Sequence, residues 1–135
     1  MKVIVDTSAW SLALRRRQPT VAVVDAIADL AKQGRVQMLG VIRQEVLSGI
    51  RTGDRIAALR TELAEFPDLP IRSEDHEHAA AAFNRCMSRG VQGNLVDMLI
   101  CSVAVQHDLS IYTLDSDFVR YAKVLPIKLH KSRTS

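Results

Sequence analysis

The sequence is poor in the residues that mark special environments. Aromatics make up only 4% of its 135 residues, which excludes a platform of stacked rings as the main binding device. Its two cysteines, Cys86 and Cys101, fall in apolar helical patterns and predict buried thiols rather than a disulfide. No Cys or His pair has ligand spacing; His76 and His78, two apart on an expected helix, point to different sides and predict solvated rings. No apolar run approaches the roughly 20 residues of a membrane span, and no apolar leader precedes the first strand, so a cytoplasmic protein is expected. Repeats, low-complexity tracts and linkers are also missing. A single domain over residues 1–130, followed by a short basic tail at 131–135, accounts for the whole length.

What is there is an alternation of short apolar strands and helices. Lys2-Val3-Ile4-Val5 is a strand apolar on both faces, ending at Asp6, and Thr7-Ser8 open a short helix through Trp10 and Leu14. A second helix starts near Thr20 with apolar Val23, Val24, Ile27, Leu30 and Ala31, and Gly34 is placed to stop it. Val36 to Leu39 predicts a second strand, and the helical stretch VIRQEVLSGI carries Glu45. Asp54 is a suitable cap for the next helix, Pro67 and Pro70 bracket a possible strand at Leu69 to Ile71, and Ser73 is a suitable cap for a helix that Gly90 ends. A short helix over Asp115 to Ala122 and a last strand over Val124 to Leu129 close the pattern. Such alternation predicts an α/β fold with a parallel sheet covered by helices.

The stretch from Gly93 to Phe118, GNLVDMLICSVAVQHDLSIYTLDSDF, carries the most information. Asp97 opens a helix that is apolar nearly all round, where an unpaired charge is expensive. In parallel sheets functional groups gather beyond the carboxyl ends of the strands. Asp6 follows the first strand, Asp115 follows the strand ending at Thr113, and Glu45 and Asp97 lie in the adjoining helices, so the four acids can converge. Two carboxylates ~4 Å apart repel by about 4 kcal/mol at an effective dielectric of 20, so such a cluster needs protons or a cation. With oxygen donors only, a hard ion such as Mg²⁺ or Mn²⁺ fits, and Thr7, Ser8, Asn94 and Thr113 can add neutral oxygens around it. Each acid also has a plainer reading: Asp6 and Asp115 as helix caps, Asp117 as a first-turn acid that also has a possible metal role, Glu45 as a solvated helix residue. Ser8 has no His at a recognisable spacing, which argues against a serine nucleophile. Trp10 is either core or an exposed anchor. The net charge of +3 permits an anionic partner, and Arg15 to Arg17, Arg43, Arg51 and Arg55 could line a track for one.

Taken together, VIVDTSAW, the acid in VIRQEVLSG, GNLVDMLICSVAVQHDL and IYTLDSDF resemble the PIN-domain nucleases, and the length resembles their small VapC-type toxins. The resemblance implies a Rossmann-like α/β/α sandwich with a five-stranded parallel sheet and a Mg²⁺- or Mn²⁺-dependent endoribonuclease. It carries the family's acids onto Asp6, Glu45, Asp97 and Asp115, leaves the division between Asp115 and Asp117 open, and puts the family's hydroxyl on Thr7 or Ser8. It further implies a structured RNA substrate such as tRNA or rRNA, a homodimer, and a VapB-like antitoxin that covers the active site; the negative charge of the acids adds the expectation that a basic residue on its tail enters them. That tail would lie in a groove near Trp10 and Val41 to Ile50. The alternative is a PIN module that binds RNA or protein without cleaving. A receiver-like signalling domain is disfavoured, because Val5-Asp6-Thr7 lacks a tandem acidic pair.

Overall fold

A computed structural model describes residues 1–15, 17–51 and 53–132. Arg16 of the basic triplet and residues 133–135 of the expected tail lie outside that set. The chain runs β1 (Val3–Val5), α1 (Thr7–Ala13), α2 (Val21–Lys32), β2 (Val36–Gln37), α3 (Gly40–Ser48), α4 (Gly53–Leu63), α5 (Ser73–Ser88), α6 (Leu95–Gln106), β3 (Ser110–Tyr112), α7 (Asp117–Tyr121) and β4 (Lys128–Leu129). The strands form one parallel sheet in the order β2-β1-β3-β4. All three residues of β1 are fully buried, as a central strand apolar on both faces requires. Each contributes roughly 1.5–3 kcal/mol of burial.

Local chemistry sets the ends of the helices. Gly34 and Gly90, at φ +66° and +74°, terminate α2 and α5 in the left-handed region that glycine tolerates best. At the start of α6 the Asn94 side chain accepts the Asp97 N–H at 2.7 Å. At α5 the cap position belongs to Arg72 rather than the expected Ser73, and the Asp75 carboxylate accepts the Arg72 N–H at 3.0 Å. Asp54 lies in the first turn of α4 rather than ahead of it, and α7 starts at Asp117 rather than Asp115. Trp10 is 4% exposed and packs against Phe66 with ring centroids 5.6 Å apart, which makes it core. Both cysteines are buried and free.

The sheet has four strands among the described residues, one fewer than the resemblance implied. The segment expected as a further strand at 69–71 reaches β2's outer edge but makes only a bridge, Met38 with Asp68, and the bond from Leu69 N–H to the Met38 carbonyl at 3.0 Å. Pro67 and Pro70 explain the arrest, since neither has an N–H to donate to a ladder. The second strand stops at Gln37 rather than Leu39. The last is cut from the expected 124–129 to Lys128–Leu129, with Pro126 just before it.

Candidate functional site

The order of the sheet places a crevice between β1 and β3. From β1 the chain goes first to β2 on one side and later to β3 on the other, and the carboxyl ends of the strands part at such a switch. The register pairs Val5 with Tyr112, so the residues leaving the two strands, Asp6 and Thr113, meet directly. Thr113 Oγ1 donates to Asp6 Oδ2 at 2.8 Å, and Ser8 Oγ donates to the same oxygen at 3.0 Å. Ser8 also accepts the Leu114 N–H at 3.0 Å, tying α1 to the end of β3.

Asp97 enters from the first turn of α6. Its Oδ2 accepts the Asn94 amide at 3.0 Å and the Tyr121 hydroxyl at 2.7 Å. Asp115 follows β3, and its Oδ1 accepts the Asp117 N–H at 2.9 Å, a cap-like contact at the start of α7. Asp117 Oδ1 accepts from Arg120 at 2.6 Å. Glu45 is exposed at the rim, and its Oε1 accepts from Thr7 Oγ1 at 2.9 Å. The arrangement repeats: in each of the five carboxylates one oxygen is engaged, and the other makes no hydrogen bond among the described residues.

Three of these groups share one space, and Asp6 lies near enough to act on it. One oxygen each from Asp97, Asp115 and Asp117 lies within 4.8 Å of the others, where two full charges repel by at least about 3 kcal/mol at an effective dielectric near 20. Asp6 and Asp97 are only 6% and 9% exposed, so water does little to relieve them. Burial pushes the Asp97 carboxyl above its usual range; the Tyr121 hydroxyl pulls it back, and the charges of Asp6, Asp115 and Asp117 push it further up. Burial, and then the bond to Asp97, raise the Tyr121 phenol, which keeps it a donor. A hard divalent cation is the group such a donor set fits: oxygens only, one free on each acid, in excess negative charge.

The structure thus gathers Asp97, Asp115 and Asp117, leaves Asp6 near enough for its charge to act on Asp97, puts Glu45 at the edge through Thr7, and sets each of Thr7, Ser8, Asn94 and Thr113 against an acid or the loop that carries one. Asp117 stands within the cluster rather than outside it. Two residues had no sequence signal. Tyr121 reads as an apolar helix position, and Arg120 as a surface cation. Arg43 is removed from the expected anionic track: it bridges to Asp68 at 2.9 Å and donates to the Leu63 and Phe66 carbonyls, pinning α3 to the end of α4.

Comparison with known proteins agrees with this fold. VapC ribonuclease Mb1587 of Mycobacterium bovis and ribonuclease VapC11 of Mycobacterium tuberculosis are each 27% identical over 125 residues, covering 90% of this chain and 92% of theirs. The fold is similar to FitAcB from Neisseria gonorrhoeae, with a TM-score of 0.77 at 22% identity, over 95% of this chain and 96% of that one. It is equally similar to VapBC2 from Rickettsia felis bound to a promoter DNA fragment, with a TM-score of 0.77 at 16% identity over 96% and 98%. The sequence profile of the PIN domain matches residues 3–124, nearly the whole chain, and the protein belongs to the PIN-domain family.

Proposed function

We propose that the protein is a divalent-metal-dependent endoribonuclease of the VapC toxin type, cutting a structured cellular RNA such as tRNA or rRNA. The observation that carries this is the convergence of Asp97, Asp115 and Asp117 at the switch of a parallel sheet, with the charge of Asp6 beside Asp97 and each acid holding one oxygen and leaving one free. The names of the VapC relatives support ribonuclease activity. Mg²⁺ or Mn²⁺, when bound, supplies the positive charge that polarises a phosphodiester and makes water nucleophilic near neutral pH. The chain's own part is positional. Asp6 and Asp97 would hold the ion, each with one oxygen fixed, Asp6 by Ser8 and Thr113 and Asp97 by Asn94 and Tyr121, and the other free. Asp115, Asp117 and Glu45 complete the negative field and orient water at its edge. Replacing Asp97 by Asn keeps shape and hydrogen bonding while removing a charge. Mg²⁺-dependent RNA cleavage should then drop by orders of magnitude while thermal melting still shows a folded protein. Near-normal cleavage by Asp97→Asn would sink the assignment, and a wild type that binds RNA without cutting it would leave a binding module.

A free nuclease needs restraint, and the VapBC and FitAcB neighbours support a VapB-like antitoxin as its source. The unpaired negative charge of the site invites an Arg from the partner's tail, whose fork can meet two carboxylates. Inhibition should weaken as Mg²⁺ rises and fail when that basic residue becomes Ala; inhibition that survives both changes means RNA access is blocked elsewhere. A second copy of the chain is the expected occupant of the apolar face around Ala79, Ala80, Leu99 and Leu95, the last 74% exposed. Sedimentation of the pure protein as a monomer at micromolar concentration would remove the homodimer.

A further inference from the structure

Beyond the rim of the site, the carboxyl-terminal ends of α1 and α3 part to leave a groove of about 360 Å³, lined by Leu14, Val46 and Ile50 and by Arg15, Arg51 and Arg55. No acidic residue lines it. Arg15 and Arg51 make no hydrogen bond or ion pair among the described residues, and Arg55 donates to the Leu14 carbonyl at 2.6 Å, which fixes its guanidinium at the wall. Helix register connects the groove to the site. Ser11, in the groove wall, lies one turn beyond Thr7 on α1, and Gly49 lies one turn beyond Glu45 at the end of α3, while Thr7 and Glu45 bond to each other at 2.9 Å. Those four residues rise about 6 Å along each helix, a short step for a nucleic-acid strand.

We propose that this groove is a phosphate-binding subsite for single-stranded RNA, holding the backbone next to the bond being cut. It rests on the reading of the acids as a nuclease centre. Positive charge placed beside the acids offsets their repulsion of the polyanion, and guanidinium forks suit phosphate oxygens. The apolar wall of Leu14, Val46 and Ile50 offers a ribose or base a dry surface.

The test measures binding in the full-length Asp97→Asn protein, by fluorescence anisotropy of an end-labelled single-stranded oligoribonucleotide across a salt series. Changing Arg15, Arg51 and Arg55 together to Gln should weaken binding about tenfold or more and flatten the slope of log Kd against log salt by about 2, the loss of three phosphate contacts. Because Arg55 also holds Leu14, the Arg15→Gln/Arg51→Gln double variant repeats the measurement with that bond intact, and its slope should fall by about 1.4. An unchanged affinity and slope in the double variant overturns the subsite. So does a double variant that keeps RNA and loses an antitoxin tail peptide, which would give the groove to a protein. If the slope flattens as expected but the wild type cuts no RNA in Mg²⁺, the subsite stands and the nuclease reading falls.

Discussion

At Asp97 burial and three neighbouring carboxylates favour the protonated acid, against a phenol that favours the carboxylate. Its folded pKa lies above the ordinary 3.8, so between those two values the folded state holds the extra proton and stability falls as pH rises. Above the folded value that loss is complete. In chelator at pH 7, Asp97→Asn should therefore melt higher than wild type, and the gap should close as pH falls through the acid range toward 3.8. A wild type that melts higher than Asp97→Asn at pH 7 in chelator would contradict this. Tyr121 acts on the same group from the other side, its 2.7 Å bond orienting the carboxylate and favouring its charge. Tyr121→Phe should weaken Mn²⁺ binding by about tenfold in calorimetry, as expected for the partner of a metal ligand. Affinity held within twofold would make the phenol a packing group only.

Among the elements, α5 and α6 pack most closely, and a buried polar knot ties them. Asp75, 3% exposed, accepts the Arg72 N–H and contacts His107 at 3.0 Å, while Ser102 donates to the Asp75 carbonyl at 2.8 Å. Burial alone would raise this carboxyl, but the Arg72 bond, the His107 bond and the charges of His107 and His76 outweigh it and leave the pKa depressed. Its contribution is therefore present above the ordinary carboxylate range and is lost as pH falls through the lower folded value. Asp75→Ala strands the Arg72 N–H and should cost about 1–3 kcal/mol in urea unfolding at pH 7, less in acid. An equal cost at pH 7 and pH 3 would mean the loss is one of packing. Elements were also where patterning misjudged length. The apolar runs after Val36 and Val124 are real, but Pro67, Pro70 and Pro126 withhold donors, and strand pairing stops short of what alternation suggests.

For the whole molecule, the acids are a standing cost that a bound cation would offset only in the folded state. Millimolar Mg²⁺ or Mn²⁺ should raise the melting temperature by mass action, and the combined change of Asp6, Asp97 and Asp115 to Asn with Glu45 to Gln should abolish the response. A response unchanged in that variant places the ion elsewhere. The proposed phosphate subsite extends the same logic to substrate, since positive charge would be needed where an RNA strand passes and not where a metal would sit.

The sequence by itself determined the alternation of strands and helices, apart from the expected strand at 69–71, and which segments carry an acid at an end. Period, capping residues and β-branched runs are local, so Asp6 after a strand, Asp97 in the first turn of a buried helix and Asp115 after another strand could be read directly. Only the tertiary structure decided who meets whom. Asp6 and Thr113 stand 107 residues apart, and Asp97 and Tyr121 stand 24 apart; strand order and register close those distances, and no local pattern encodes them. The same holds for Asp117 joining the cluster, Glu45 remaining at the rim, Trp10 turning inward and Arg43 leaving the basic track for Asp68. Each outcome depends on which neighbour the packed chain supplies to a side chain equally able to face solvent.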